Sequence, residues 1–247
     1  MGYSVILPTL NEAGHIVKLI EKIRSIFSEI QEEFEIILVD DNSTDGTVEL
    51  GENIAKKHGN IQFFLRKGLK KNLANSINLG IQKSKYENII WLDADFQHPP
   101  DCIKLFHNYQ NRYDLIIFSR FLKDSTRYFE KEKFKKASNE NQSVFFNKLC
   151  NLLLYKDLTD YTSGFICIKR KIFENYKLKG YYGEYFIDLI IYCKLNNYSI
   201  IELPFAERPR YSGITKTFPE FSFKYLILLF KYLLSLIKNF IKKLFFK

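Results

Sequence analysis

The chain alternates short apolar runs with longer stretches whose apolar residues recur at helical spacing. Tyr3–Leu7, Phe34–Val39, Ile61–Leu65 and Ile89–Leu92 are β-prone runs bounded by turn formers, and each predicts a strand. Between them, Ile16, Ile20, Ile23, Phe27 and Ile30 fall on one face of a helix that Asn11 can cap. The polar run Asp40–Thr47 starts a second helix that reaches about His58, and Asn72–Lys83 predicts a third. A helix over Asp101–Asn111 and a strand over Leu115–Phe118 continue the alternation. Strands and helices in this order predict an α/β fold with a mostly parallel, Rossmann-like sheet and right-handed crossovers.

Beyond Arg120 the alternation fails. Lys123–Lys136 is charged and without apolar periodicity, which predicts a mobile loop. Val144–Leu154 and Tyr185–Leu195 have helical character, whereas Phe165–Ile168 and Ser199–Leu203 have strand character. No internal repeat and no Pro-, Gly- or Ser-rich linker divides the chain, so residues 1–217 form one domain and residues 218–247 a tail.

One junction organises the whole. The Ile89–Leu92 run gives way to Asp93-Ala94-Asp95 where the strand should end, and Pro99-Pro100 then sets up a helix start. In open α/β sheets ligands bind at the carboxyl ends of the strands. Two carboxylates one residue apart in extended chain point to opposite faces. One can hold a hard cation while the other meets a different part of the same ligand. A polar turn with two solvated aspartates is the competing reading.

Composition changes the picture in two places. The four cysteines, Cys102, Cys150, Cys167 and Cys193, have neither C-x-x-C nor metal-ligand spacing and read as reduced core residues of a cytosolic protein. The amino terminus lacks a basic segment followed by a long apolar one, so it reads as a first strand rather than a signal peptide. The formal net charge of +9 points to phosphorylated substrates, anionic membrane or nucleic acid, and net +5 of it lies on Phe218–Lys247. Lys224, Lys231 and Lys238 recur every seven residues there, on an otherwise apolar segment. A narrow lysine stripe on a broad apolar cylinder predicts a helix lying in the interface of an anionic membrane. No apolar run there approaches the ~20 residues that span a bilayer, and a core-packed terminal helix is the alternative. The tail is too apolar, and too poor in base-reading residues, for nucleic-acid binding.

With these elements in place the chain resembles the family-2 glycosyltransferases, and within them the polyprenyl-phosphate hexose transferases such as the dolichyl-phosphate mannose synthases. The resemblance runs from Tyr3 to about Lys216. It rests on Pro8-Thr9-Leu10-Asn11-Glu12, Val39–Thr47, Asp93–Pro100, Ser119-Arg120, Asp160–Phe165, Glu202-Leu203-Pro204 and Arg210–Lys216, all in order. It implies a nucleotide pocket lined by Pro8, Glu12, Val39 and Asp41, with Asp93 and Ala94 against the nucleoside. It implies Asp95 and Gln97 as ligands of Mg²⁺ or Mn²⁺ bridging the diphosphate. It also implies Arg120, Arg210 and Lys216 as cations that meet phosphate groups of donor and acceptor, which suits guanidinium and ammonium chemistry. A divalent cation and guanidinium groups would stabilise the charge that builds on a departing diphosphate.

Read without the resemblance, Asp40, Asp41 and Asp45 serve equally as turn formers, Glu12 as a first-turn acid, Arg120 as one half of a surface ion pair, and His98 as a structural residue. Where relatives that glycosylate a hydroxyl usually carry a general base, this chain has Phe186, with Asp188 at the second acidic position. An acceptor hydroxyl needs a base, but an acceptor phosphate is already anionic. Glu184 could substitute from the neighbouring turn. Leu10, Asn72–Ser76, Ile166 and Asn139 depart from the family pattern and mark a divergent member. The expectation is a peripheral enzyme at the cytosolic face of a membrane that inverts a hexose from a nucleoside-diphosphate sugar onto polyprenyl phosphate. A transferase acting on a glycan or lipid hydroxyl, and a catalytically silent nucleotide-sugar-binding scaffold, are the alternatives.

Overall fold

The structure is a computed structural model that describes residues 2–125, 144–145, 147–180, 183–208, 227 and 230. Among the described residues seven strands form one sheet: β1 (Gly2–Thr9), β2 (Glu33–Asp40), β3 (Ile61–Leu65), β4 (Asn88–Trp91), β5 (Leu115–Ser119), β6 (Ile166–Lys169) and β7 (Ile200–Pro204). Their spatial order is β3-β2-β1-β4-β6-β5-β7. The pairs β2–β3, β1–β2, β1–β4 and β5–β7 are parallel. β6 alone runs against both of its neighbours.

That reversal positions the site. The carboxyl ends of β1 to β5 and β7 lie at one edge, and because β6 is inverted, the segment that precedes it reaches the same edge. All the described motif fragments from Pro8 to Pro204 therefore converge there. The mostly parallel expectation holds, with β6 the exception.

Alternation along the central strands feeds two cores. Ile6, Ile89, Trp91 and Ile117 face one side, against Ile77 and Ile81 of α3 (Leu73–Lys83) and Phe186, Leu189 and Ile190 of α5 (Glu184–Leu195). Val5, Leu7, Ile90 and Leu92 face the other, against Ile16, Leu19, Ile20 and Ile23 of α1 (Ile16–Ile30) and Phe106 of α4 (Ile103–Tyr109). Fully burying a side chain of this size stabilises by about 1.5–3 kcal/mol. Gly80 lets α3 approach β1, since a Cβ there would lie 2.4 Å from Ile6 Cγ2.

α2 (Thr47–Lys57) follows the second strand as expected. The helix expected over Asp101–Asn111 is a 3₁₀ turn, Pro100–Cys102, followed by the short α4. Residues 144–145 and 147–153 are helical. All four cysteines are free, and burial pushes the thiols of Cys150, Cys167 and Cys193 up to about 12, as inert core groups require. One expectation is corrected: Asn11 does not cap α1. His15 occupies the N-cap, and Asn11, in left-handed conformation at φ 56°, bonds instead to the loop after β2. The loop expected over Lys123–Lys136 lies outside the described residues beyond Ser125. Arg210, Lys216, Asn139 and nearly all of the tail lie outside them too. Among the described residues no helix is long and apolar enough to cross a membrane.

Candidate active site

The loops after β1 and β2 are locked together by short polar side chains. Asp40, fully buried, accepts from Thr9 Oγ1 at 2.8 Å, Ser43 N at 2.7 Å and Ser43 Oγ at 2.6 Å. Ser43 Oγ in turn accepts from Asn11 N, and Asn11 Oδ1 accepts from Thr44 N. Asp45, just before the Gly46 N-cap of α2, accepts from Thr47 N and Oγ1 and from Ala13 N at 3.0 Å. Burial opposes its charge, but the hydrogen bonds from Thr47 and Ala13 win and hold its carboxyl below the usual range. Asp40 and Asp45 are thus turn-building residues. Pro8 pairs with Val39 in the β1–β2 ladder, while the β1–β4 ladder stops at Ile6–Trp91, so the missing N–H of Pro8 falls where no β4 partner needs it.

Two expected pocket residues have partners of their own. Glu12 is buried, its N–H donates to Thr47 Oγ1, and its Oε2 lies 2.7 Å from His15 Nε2. Asp41 is ion-paired with the buried Arg66 and accepts from Asn72 N at 2.6 Å. Burial raises the Asp41 carboxyl above its usual value, against the pull of Asn72 N–H and Arg66. Arg66 also donates to Asn72 O at 3.1 Å and Ser76 Oγ at 3.0 Å. Arg66 follows β3 directly, as Asp41 follows β2. The sequence reading assigned it nothing, although a charge at a strand's carboxyl end was the signal already used for Asp93.

The acidic junction is a turn rather than extended chain. Asp93 N donates to His98 Nδ1 at 3.0 Å, and Gln97 N donates to Asp95 Oδ1 at 3.0 Å. Phe96 sits in left-handed conformation at φ 66°, an uncommon state for a bulky side chain and one that concentrates at functional loops. The two carboxylates still meet different surroundings: the Asp93 side chain is 52% exposed and Asp95 is buried. Ala94 is buried between them, and Gln97 is half-buried. His98 stacks on Phe165 with centroids 4.9 Å apart and meets Phe205 edge-on, so its role in the turn is structural.

Among the described residues no three His, Cys, Asp or Glu side chains converge to hold a metal ion. The donor set fits a hard cation of the kind that takes one or two carboxylates and completes its shell with phosphate oxygens and water, not a protein cage. Asp95, backed by Gln97, is the group that would hold it.

Arg120 is the cation at the end of β5. It donates from Nε to Asp160 Oδ2 at 2.8 Å and from Nη2 to Asp160 Oδ1 at 2.9 Å, the bidentate geometry of the strongest charge-assisted pairs. Nη2 also donates to Thr162 Oγ1, and Nη1 lies 3.9 Å from Glu207. Asp160 is fully buried; burial opposes its charge, and Arg120 overcomes that and holds the carboxyl below the usual range. Glu202 Oε1 accepts from Asp160 N at 2.8 Å and its Oε2 from Thr159 N at 2.7 Å, so β7 fixes the loop that fixes the arginine. Asp160 and Glu202 were visible only as motif fragments without a role. Phe186 lies in the core, and Asp188 accepts from Tyr176 at 2.7 Å.

Contacts run along the whole edge. His15 meets Phe96 edge-on at 6.4 Å, Arg208 N donates to Gln97 O, and the charges of Asp93 and Glu207 act on Arg120. The mixed α/β sheet that carries these turns has the fold of solved structures crystallised with nucleotide sugars. Glucosyl-3-phosphoglycerate synthase from Mycobacterium tuberculosis, crystallised with Mn²⁺, UDP-glucose and phosphoglyceric acid, superposes with a TM-score of 0.65 at 15% identity, over 91% of this chain and 77% of that one. S. aureus TarS 1-349, crystallised with UDP-GlcNAc, gives 0.58 at 16% identity, over 93% and 65%.

The sequence model of Glycosyl transferase family 2 matches residues 4–177, and the chain belongs to that family. A dolichol-phosphate mannosyltransferase of Pyrococcus furiosus is 27% identical over 92% of this chain, which spans 62% of the Pyrococcus protein's length. Another, from Mycosarcoma maydis, is 27% identical over 90% of this chain and 76% of its own length.

Proposed function

We propose that the protein is a metal-dependent, inverting hexosyltransferase that moves a sugar from a nucleoside-diphosphate sugar to a polyprenyl phosphate at the cytosolic face of a membrane. The observation that carries this reading is the match to dolichol-phosphate mannosyltransferases along almost the entire chain. The strand-end site supports it. Pro8, Glu12, Val39 and Asp41 line the base and ribose, and Asp93 and Ala94 meet the nucleoside. Asp95 and Gln97 hold Mg²⁺ or Mn²⁺, whose contribution when bound is to neutralise charge on the leaving diphosphate.

In the reaction a phosphate oxygen of the acceptor attacks the anomeric carbon. The new carbon–oxygen bond forms as the bond to the diphosphate breaks on the opposite face, so configuration inverts. The acceptor phosphate is anionic near neutral pH, and no side chain has to take a proton from it. Arg210 and Lys216 are assigned to the acceptor phosphate. Arg120, with most of its donors already on Asp160 and Thr162, shapes the loop beside the anomeric carbon and adds positive field there.

Membranes containing the protein, incubated with a panel of radiolabelled nucleotide sugars, should yield label in acid-labile lipid. Label in alkali-stable glycan would identify a hydroxyl acceptor, and nucleotide binding without transfer would leave a scaffold. The tail, residues 218–247, is assigned to the membrane surface. Truncation after Pro219 should release the protein to the soluble fraction and reduce transfer to long-chain acceptor in vesicles far more than transfer to a short, water-soluble analogue.

A further inference from the structure

We infer that Asn72 is a positioning residue that sets nucleotide selectivity by fixing the Asp41 carboxylate. The inference rests on the reading that Asp41 faces the base. Asn72 is buried, and all four of its polar groups are engaged. Its N–H donates to Asp41 Oδ2 at 2.6 Å, and its carbonyl accepts from Arg66 Nη1 at 3.1 Å and from Ser76 N at 3.1 Å. Its side-chain Oδ1 accepts from Asn75 N at 2.8 Å, which caps α3, and its Nδ2 donates to Gly180 O at 2.9 Å.

The two ends of the side-chain amide do different work. The oxygen caps the helix, which many short polar residues can do. The nitrogen reaches across to the turn before α5, which needs a donor and not an acceptor. The point of contact is crowded: Gly180 has φ 127°, and a Cβ there would lie 2.7 Å from Glu184 Cγ. Asn72 is therefore held from outside the nucleotide-side loops, and its backbone N–H is aimed at Asp41 by a contact 108 residues away. Asp41 has one oxygen on Arg66 and the other on Asn72, so its plane is set and only the remaining lone pairs face a ligand. A carboxylate held in one plane separates bases by where they carry N–H donors; a carboxylate free to turn does so less well.

A second tie on the same helix supplies the control. Asn78 donates from Nδ2 to Leu178 O at 2.9 Å and accepts from Leu178 N at 3.0 Å, joining α3 to the same turn without touching Asp41.

The test uses the full chain and dissociation constants for GDP, UDP, CDP and ADP, measured by calorimetry with Mg²⁺ present. Asn72→Ser keeps a cap acceptor and loses the donor to Gly180, and Asn72→Asp keeps the cap and sets a carboxylate against the Gly180 carbonyl. Both should fold, as far-ultraviolet circular dichroism will show. The ratio between the weakest and tightest nucleotide should shrink about tenfold in each, the effect of one misplaced charge-assisted hydrogen bond. Asn78→Ala should lower the melting temperature and leave the ratio unchanged. A folded Asn72→Ser protein with the wild-type ratio overturns the inference, as does an Asn78→Ala protein that flattens the ratio equally. Wild-type protein that binds none of the four nucleotides overturns the underlying reading of the site instead.

Discussion

The two ends of the strand edge are built in different ways. After β1 and β2, short polar side chains bond to backbone within their own loop or the next one, as Asp40 does with Ser43 and Asn11 with Thr44, and the Asp41–Arg66 pair joins the loop after β2 to the end of β3. After β5 and β7 the same edge is held by a charged chain that spans long sequence separations, from Glu202 through Asp160 to Arg120. The first end is a set of interlocked turns in which the buried Asp41–Arg66 pair is one tie among several. The second is centred on the Arg120–Asp160 pair, and losing one member leaves the other charged and stranded. Between them lies the Asp93–Gln97 turn, which touches both ends, through His15 on one side and Arg208 on the other.

The largest effect should come from that shared turn. Asp95→Asn keeps the volume and the acceptor for Gln97 N, and removes the charge. If Asp95 is the cation's ligand, turnover should fall by about 10²–10³ or more, the scale of a lost electrostatic stabiliser, with melting temperature and circular dichroism unchanged. Near-normal transfer at saturating Mg²⁺ or Mn²⁺ would reduce the turn to a structural bend.

Next come the carboxylates that represent the two ends, whose pH dependence should differ in sign. Asp160→Asn strands Arg120 and should cost about 3–5 kcal/mol at neutral pH, read from denaturant or thermal unfolding. The folded Asp160 carboxyl is held low by Arg120 against its burial. Its stabilisation is complete above the unfolded value near 3.9 and is lost as pH falls through the lower folded value, so the gap to the variant closes in acid. Asp41 is shifted the other way by burial. Its contribution is greatest below the unfolded value and declines as pH rises through the folded one. Asp41→Asn should therefore cost less at neutral pH, and the gap should narrow, not widen, as pH is raised. Parallel pH profiles for the two variants would erase the distinction between the ends.

The same contrast explains what the sequence disclosed. The strands of the first half were legible because each apolar run ends in turn formers, and Ile61–Leu65 was read with the bounds it has in the fold. Asn72 was readable as a departure from the family, but its reach to Gly180 was not, because no local pattern encodes a contact of that span. Arg120 stood out through the family resemblance, whereas Asp160 could be paired with it only once the reversal of β6 brought the 160–165 segment to the same edge. Asn11 misled because an asparagine just before an amphipathic helix is a common cap. Here Ser43 and Thr44 offered its amide better-placed partners, and the helix started four residues later, at Ile16, after an N-cap without a side-chain bond.

The smallest effect should fall on His98, next to the shared turn but not part of its chemistry. Its ring lies 11° from parallel to Phe165 and edge-on to Phe205, and its Nδ1 accepts the N–H of Asp93. His98→Phe keeps the stacking and removes the acceptor. One backbone N–H beside a half-exposed side chain then loses its partner, a cost of about 1–2 kcal/mol, visible as a modest drop in melting temperature. Transfer should fall by less than about tenfold, since neither carboxylate is removed. His98→Ala should destabilise more, because it also empties a site between two phenylalanines, yet it should leave the same activity per folded molecule. If His98→Phe instead abolished turnover at full stability, the histidine would have to act on substrate, and the division between a chemical turn and its structural supports would have to be redrawn one residue further along the chain, toward Pro99.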